Sequence, residues 1–148
     1  MLDVLDVKVD DKYYVHMTPK RAEQFRLNYG KYSRTDIWQV SSIQKPRLKF
    51  KNPCDGRVYS PLGIAPTVVT DKDRLLVLCE DGRIRYLTEK EAFRLMGLKD
   101  GEIDAIQSTD ISSTQQYKMA GNSIVVNVLD SIFENMFYPK KSKEIRLF

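Results

Sequence analysis

Hydrophobic spacing changes character along this chain. From Asp36 to Phe50 the apolar positions Ile37, Val40, Ile43, Leu48 and Phe50 stand among polar neighbours, which predicts strand, interrupted at Pro46. Leu75-Leu76-Val77-Leu78-Cys79 and Arg83-Ile84-Arg85-Tyr86 flank Glu80-Asp81-Gly82. Asp-Gly between two strand-like runs predicts a hairpin, because its turn needs residues that tolerate positive φ. Ahead of these runs, Thr18-Pro19 predicts an N-cap followed by proline in the first helical position, opening a short helix toward Asn28 that Gly30 closes. Pro53, Gly56, Pro61, Gly63 and Pro66 mark a loop-rich section.

Beyond the hairpin the period becomes helical. Thr88 and Glu91 have the spacing of a capping box, in which hydroxyl and carboxylate satisfy orphan amides reciprocally. The helix is expected to run to Met96, with Gly97 as its left-handed stop and Leu87, Ala92, Leu95 and Met96 available for a core. Ser112 and Gln115 repeat the pattern for a helix of one or two turns ending near Gly121. Asn122 or Ser123 then caps a helix to about Phe137, which Pro139 stops. In that helix Ile124, Val125, Val126, Val128, Leu129, Ile132, Phe133, Met136 and Phe137 are apolar, more than a single stripe requires. A domain this small has little material to cover it, so an exposed apolar patch is expected, serving docking or self-association through residues 123–137. The fold class is α+β: a small, mostly antiparallel sheet with loops, followed by two or three helices.

Composition narrows the options. The 148 residues are 42% hydrophobic and 30% charged, which is a folded chain of one ordinary domain. No apolar run reaches the length of a membrane span, and Met1-Leu2-Asp3-Val4 is no export signal, so no membrane partner is expected. Cys54 and Cys79 make neither a disulfide framework nor a metal quartet, which fits a reducing cytoplasm. Asp71, Asp73, Glu80 and Asp81 fit no calcium loop, and His16 is the single histidine, so no metal site is expected.

Charge is uneven behind a net +4. Lys20 to Arg57 carries ten basic residues against Glu23, Asp36 and Asp55, whereas Asp3, Asp6, Asp10 and Asp11 dominate the start. Lys45, Arg47, Lys49 and Lys51 alternate with other residues, so in a strand all four share one face. Such a row can neutralise DNA phosphates; the other reading is an edge strand kept soluble by its charges. Base choice is expected from the loop Pro61 to Thr70.

Two segments carry the most specific signal. They are Arg85-Tyr86-Leu87-Thr88-Glu89-Lys90-Glu91-Ala92-Phe93-Arg94-Leu95-Met96-Gly97 and Gln115-Gln116-Tyr117-Lys118-Met119-Ala120-Gly121-Asn122-Ser123-Ile124-Val125-Val126. In this order they resemble the last two motifs of the DNA cytosine-5 methyltransferases, although Leu98 stands where that family has a bulky aromatic. Pro66-Thr67-Val68 resembles the Thr-Leu element of the family's recognition domain, with Val68 for leucine. Asp10 to Val15 followed by Thr18-Pro19 is similar to the stretch entering that domain. The family's Phe-x-Gly-x-Gly cofactor loop, its Pro-Cys-Gln loop and its Glu-Asn-Val motif are not found in these residues. Pro53-Cys54 lacks the neighbours of the nucleophile and is a loop residue pair.

The resemblance implies a division into an entering linker (1–17), a target-recognition domain (18–86), a helical arm (87–138) and a basic tail (139–148). It implies that Asn122, Ser123 and Ile124 contribute to an S-adenosylmethionine pocket bound mainly by another domain. Lys45, Arg47, Lys49, Lys51, Thr67 and Arg85 are the expected DNA-binding residues, with Arg85 and Arg94 structural or phosphate-facing and no catalytic residue present. The expected role is to grip duplex DNA, select the site and complete the donor pocket for an amino-terminal catalytic domain or subunit, in a restriction-modification setting. Alone, the chain is expected to transfer no methyl group. The alternatives are a stand-alone DNA-binding or regulatory module, and a plain interaction module.

Overall fold

The computed structural model describes residues 2–18, 35–43, 56–71 and 75–138. The helix expected after Pro19, the basic row Lys45, Arg47, Lys49 and Lys51, Cys54 and the basic tail all lie outside the described residues.

Four short strands form one sheet in chain order: β1 (Gln39–Ser42), β2 (Arg57–Tyr59), β3 (Leu76–Leu78) and β4 (Ile84–Tyr86). β1 pairs antiparallel with β2, with a register shift between Gln39 and Ser41; β2 runs parallel to β3, and β3 pairs antiparallel with β4. The β3–β4 connection is the expected hairpin. Gly82 takes φ +80°, the Cys79 amide donates to the Arg83 carbonyl at 2.8 Å, and the Arg83 amide donates to Asp81 Oδ1 at 2.9 Å. Tyr14 bridges antiparallel to Arg85, and the Val15 amide donates to Ile84 O at 2.9 Å, so the amino-terminal segment lies along β4.

Alternation along the strands splits the core into two layers. Val40, Ile43, Val58, Leu76 and Ile84 pack on one face with Val15, Leu78 and Tyr86 beside them. Tyr59, Leu75, Val77 and Leu87 pack on the other, joined by Leu5, Val68 and Leu95. Four helices follow: α1 (Glu89–Leu95), α2 (Asp100–Gln107), α3 (Ser113–Asn122) and α4 (Val126–Phe137). The architecture is the expected α+β arrangement. Ala92, Phe93 and Met96 from α1 and its end, Ile103 from α2, and Tyr117 and Ala120 from α3 make a third buried cluster. Full burial of an aliphatic side chain such as Ile103 is worth about 1.5–3 kcal/mol, so these few contacts hold the helices together.

The capping box of α1 is present in both directions. Glu91 N donates to Thr88 Oγ1 at 3.1 Å, and Thr88 N donates to Glu91 Oε2 at 2.8 Å. Gly97, at φ +89°, ends the helix where an L side chain would be strained. At α3 the cap is one-sided: Gln115 N donates to Ser112 Oγ at 3.3 Å, while Gln116, not Gln115, reaches back to Ile111 O at 3.0 Å. α2 was not anticipated by the helical period, because Ile103 is its single buried residue.

Candidate site at the recognition loop and the Gly-Asn-Ser turn

Arg85 sits on β4 facing α1, and it is buried, at 3% exposure. Its Nη1 and Nη2 each donate to a different Glu91 oxygen at 2.7 Å, and Nη1 also donates to Tyr86 O at 3.1 Å. This corrects its assignment as a DNA-contacting residue: the guanidinium is consumed inside the protein, pairing the sheet with α1. Glu91 is fully buried and takes a fourth donor from the amino-terminal segment, Asp6 N, at 2.7 Å. Arg94 is likewise engaged, donating to Asp100 at 2.7 and 3.0 Å and to Asp6 Oδ1 at 2.7 Å. Both arginines of this segment thus spend their guanidinium donors on carboxylates within the protein.

A second cluster joins the same elements. Tyr13 donates its hydroxyl to Glu89 Oε2 at 2.5 Å, Ser113 donates to the other oxygen of Glu89, and Tyr117 donates to Leu87 O at 2.6 Å. Burial, and then the carboxylate of Glu89, hold both phenols well above the ordinary tyrosine range. The neutral phenol is thus favoured in the fold, whereas an unfolded tyrosine ionises near about pH 10. The resulting stabilisation is complete below about pH 10 and is lost as pH rises beyond it toward the folded values. A spectroscopic alkaline titration should show some tyrosines ionising near pH 10, with Tyr13 and Tyr117 following only as helical circular dichroism is lost. Ionisation of every tyrosine near pH 10 with the helices intact would contradict this network.

The Gly-Asn-Ser turn is built differently from the expected helix start. Asn122 is the last residue of α3, and Ser123 is its C-cap, with its hydroxyl donating back to Ala120 O at 2.9 Å. α4 begins at Val126 after Val125, which has no capping side chain and instead packs into the helical cluster. Val126 N donates to Met96 O at 2.9 Å, so the end of α1 satisfies the first amide of α4. Neither Asn122 nor Ser123 caps α4, and its amides are not presented beside them. What remains at the turn is three exposed side chains in a row: Asn122, Ser123 and Ile124.

Gly121 explains why the turn stands where it does. A Cβ there would lie 2.5 Å from Thr70 N, 2.5 Å from Val69 C and 2.9 Å from Thr70 Cα. The backbone of the loop after Pro66 therefore rests on the glycine. That loop is pinned by Val68, which packs against both the helical cluster and the cluster on the inner sheet face, while Thr67 is exposed. Two segments singled out for different reasons, one bearing Thr67 and one bearing Asn122 to Ile124, thus meet in one place. Their meeting was not legible beforehand; the glycine was readable as a turn former, but not as a seat for a distant loop.

α4 is the least covered element. It has no buried residue, and Val128, Ile132, Phe133, Met136 and Phe137 are each about half exposed or more. Phe133 and Phe137 stack with centroids 6.2 Å apart, and Val128, Ile132 and Met136 line an open, mainly apolar groove with Asn127, Ser131 and Asn135. The expected apolar patch is present. No helix among the described residues is long and apolar enough to cross a membrane.

Comparison with known proteins agrees with these features. The chain is 27% identical to the orphan methyltransferase M.SPBetaI of Bacillus phage SPbeta, over 96% of this chain and 43% of that protein. It is 28% identical to the type II methyltransferase M2.ScrFI of Lactococcus lactis subsp. cremoris, over 93% of this chain and 33% of that protein. With the type II methyltransferase M.NlaIV of Neisseria lactamica the identity is 30%, over 92% of this chain and 29% of the relative. The chain thus spans less than half the length of these relatives. The alignment with the phage protein covers 193 positions, more than the 148 residues available here, so that relative carries inserted residues within the shared span. The profile of the C-5 cytosine-specific DNA methylases matches residues 7–138, and the chain belongs to that family.

Proposed function

We propose that this chain is the target-recognition and donor-pocket-completing part of a DNA (cytosine-5) methyltransferase that moves a methyl group from S-adenosylmethionine to C5 of cytosine in duplex DNA. The observation that carries this reading is α4, a helix without one buried residue whose apolar side chains Val128, Ile132, Phe133, Met136 and Phe137 are exposed, and which follows closely on the turn at Asn122. A contiguous exposed apolar surface of this kind marks a site that another body covers. A catalytic domain or subunit carrying the Pro-Cys-Gln and glycine-rich loops is that body. Its cysteine would attack the flipped base, which must be held out of the stack during the reaction.

The turn suits one wall of a donor pocket. Asn122 offers an amide, Ser123 keeps acceptor lone pairs while donating to Ala120, and Ile124 adds an apolar contact. Three exposed side chains enclose nothing by themselves, which agrees with a pocket shared with the catalytic body. Bound there, S-adenosylmethionine would supply the activated methyl group. Thr67 and the basic residues from Lys45 to Lys51 would meet the DNA, the latter through phosphates and hence with strong salt dependence.

The test is complementation. The chain alone, given labelled S-adenosylmethionine and cytosine-containing duplex, should incorporate no label. Incorporation should appear when the polypeptide of the same genome that carries Pro-Cys-Gln is fused ahead of Met1 or supplied in trans. Substituting Ile132→Asp together with Met136→Asp should abolish that rescue while changing the chain's own unfolding free energy by no more than about 0.5 kcal/mol per site, since both side chains are exposed. A homodimer that covers α4, together with no rescue by the Pro-Cys-Gln polypeptide, would favour the stand-alone module instead.

A further inference from the structure

We infer that Gly121 and Val68 are positioning residues for DNA site selection: together they fix the height at which the Thr67 loop stands beside the turn. This rests on the reading of the chain as the recognition part of a methyltransferase, and adds to it a role in DNA discrimination for a glycine of the donor-side turn. The geometry is specific. Any side chain at position 121 meets loop backbone, not the end of a flexible side chain, at 2.5 Å from both Thr70 N and Val69 C. Ordinary contact between such atoms is about 3.5–4.0 Å, so one methyl group must lift the loop by roughly 1 Å. Val68 anchors the same loop by packing against both the helical cluster, which includes Ala120, and the cluster on the inner sheet face. Thr67 is exposed and stands immediately before Val68, next to both constraints.

A displacement of about 1 Å in a positioned group can cost on the order of a hundredfold in the event it serves, because directional contacts are lost together. Here that event is discrimination between duplexes. Phosphate contacts made elsewhere on the chain carry affinity but no sequence information, so binding to arbitrary DNA should survive. The two glycines of the helical region separate the effects. A Cβ at Gly101 in α2 would meet nothing within 4 Å, so Gly101→Ala controls for the helix-favouring gain of alanine without touching the loop.

The experiment selects duplexes from a randomised library with the full chain at fixed salt, then measures the affinity ratio between the selected duplex and a scrambled one. Circular dichroism melting establishes a temperature at which each variant is folded. Gly121→Ala should lower the ratio about ten- to a hundredfold with little change for scrambled DNA, and Gly101→Ala should leave both unchanged. Val68→Ala removes the loop's apolar anchor without touching Gly121 and should also lower the ratio; it decides the matter if Gly121→Ala does not fold. A folded Gly121→Ala or Val68→Ala chain that keeps the full ratio overturns the inference. If the unsubstituted chain prefers no duplex at all, the DNA-recognition reading falls first and this inference goes with it.

Discussion

Replacing Glu91 with alanine is expected to destabilise the chain by roughly 3–5 kcal/mol, the cost of stranding a buried charge. The stranded group is Arg85, whose two nitrogens hold the two Glu91 oxygens at 2.7 Å in a space from which water is excluded. Two backbone amides, Thr88 and Asp6, lose their acceptor in the same substitution. A typical domain is stable by only about 5–15 kcal/mol, so the variant should be marginal, with a midpoint lowered by on the order of 10 °C. Glu91→Gln should be milder but still damaging. Its amide group would turn a second set of donors toward Arg85 and one of the backbone N–H groups, so at least one bond becomes a clash of donors. Removing both charges with apolar residues of similar volume often costs nothing for an isolated ion pair. It should not be neutral here, because the buried Thr88 amide would be left without a partner, at about 1–3 kcal/mol, and the half-buried Asp6 amide would lose its acceptor as well. Urea unfolding of the two single variants and of Arg85→Met with Glu91→Leu measures all three. A loss below about 1 kcal/mol for Glu91→Ala would mean that water reaches Arg85 and that the pair is not the hinge between sheet and helix.

Much of this arrangement was legible because it is local. The Asp81-Gly82 hairpin, the Thr88–Glu91 box, the Gly97 stop and the uncovered apolar face of α4 each depend on residues a few positions apart. Turn chemistry and capping fix such features without help from the rest of the chain. Misreadings arose where a distant partner replaced the local one. Ser123 looked like an N-cap because serine usually is one. Met96 O supplies the acceptor for Val126 N instead, and the serine turns back onto Ala120. For Arg85 the family resemblance leaves a structural and a phosphate-facing role side by side. Only the fold shows that Glu91, six residues on, reaches it from the next element. α2 was missed for a related reason: with one buried residue it has hardly any apolar stripe to display. The seat of the loop 66–70 on Gly121 lies beyond sequence altogether, since it joins residues more than fifty positions apart through backbone contact.

Deleting residues 1–15 should have the other large effect, although they begin as an acidic stretch with little regular structure. Its regular structure among the described residues is two short turns, Leu2–Val4 and Asp11–Tyr13, and the bridge from Tyr14 to Arg85. Yet it delivers Asp6 N to Glu91, the Asp6 carboxylate to Arg94 and the Tyr13 hydroxyl to Glu89, and the Val15 amide lies on β4. Leu5 and Val15 pack against opposite faces of the sheet. Each hydrogen bond to a charged group contributes about 1.5–3 kcal/mol, so the sum rivals the net stability of a domain even after the entropy of ordering the segment is subtracted. The truncated chain should lose cooperative unfolding and expose apolar surface, which a melt followed by circular dichroism and by a hydrophobic dye would reveal. Asp6→Ala, which removes one ion pair but keeps the amide, should fall between truncated and intact chains. A truncated chain that melts cooperatively within a few degrees of the intact one would reduce the segment to a linker. The expected outcome carries a functional consequence. The segment grips α1, and α1 is bound on one side to β4 through Arg85 and on the other to α4 through Met96. Strand and turn would then fail together, so DNA binding and rescue of methyl transfer should disappear in the same variant, not one by one.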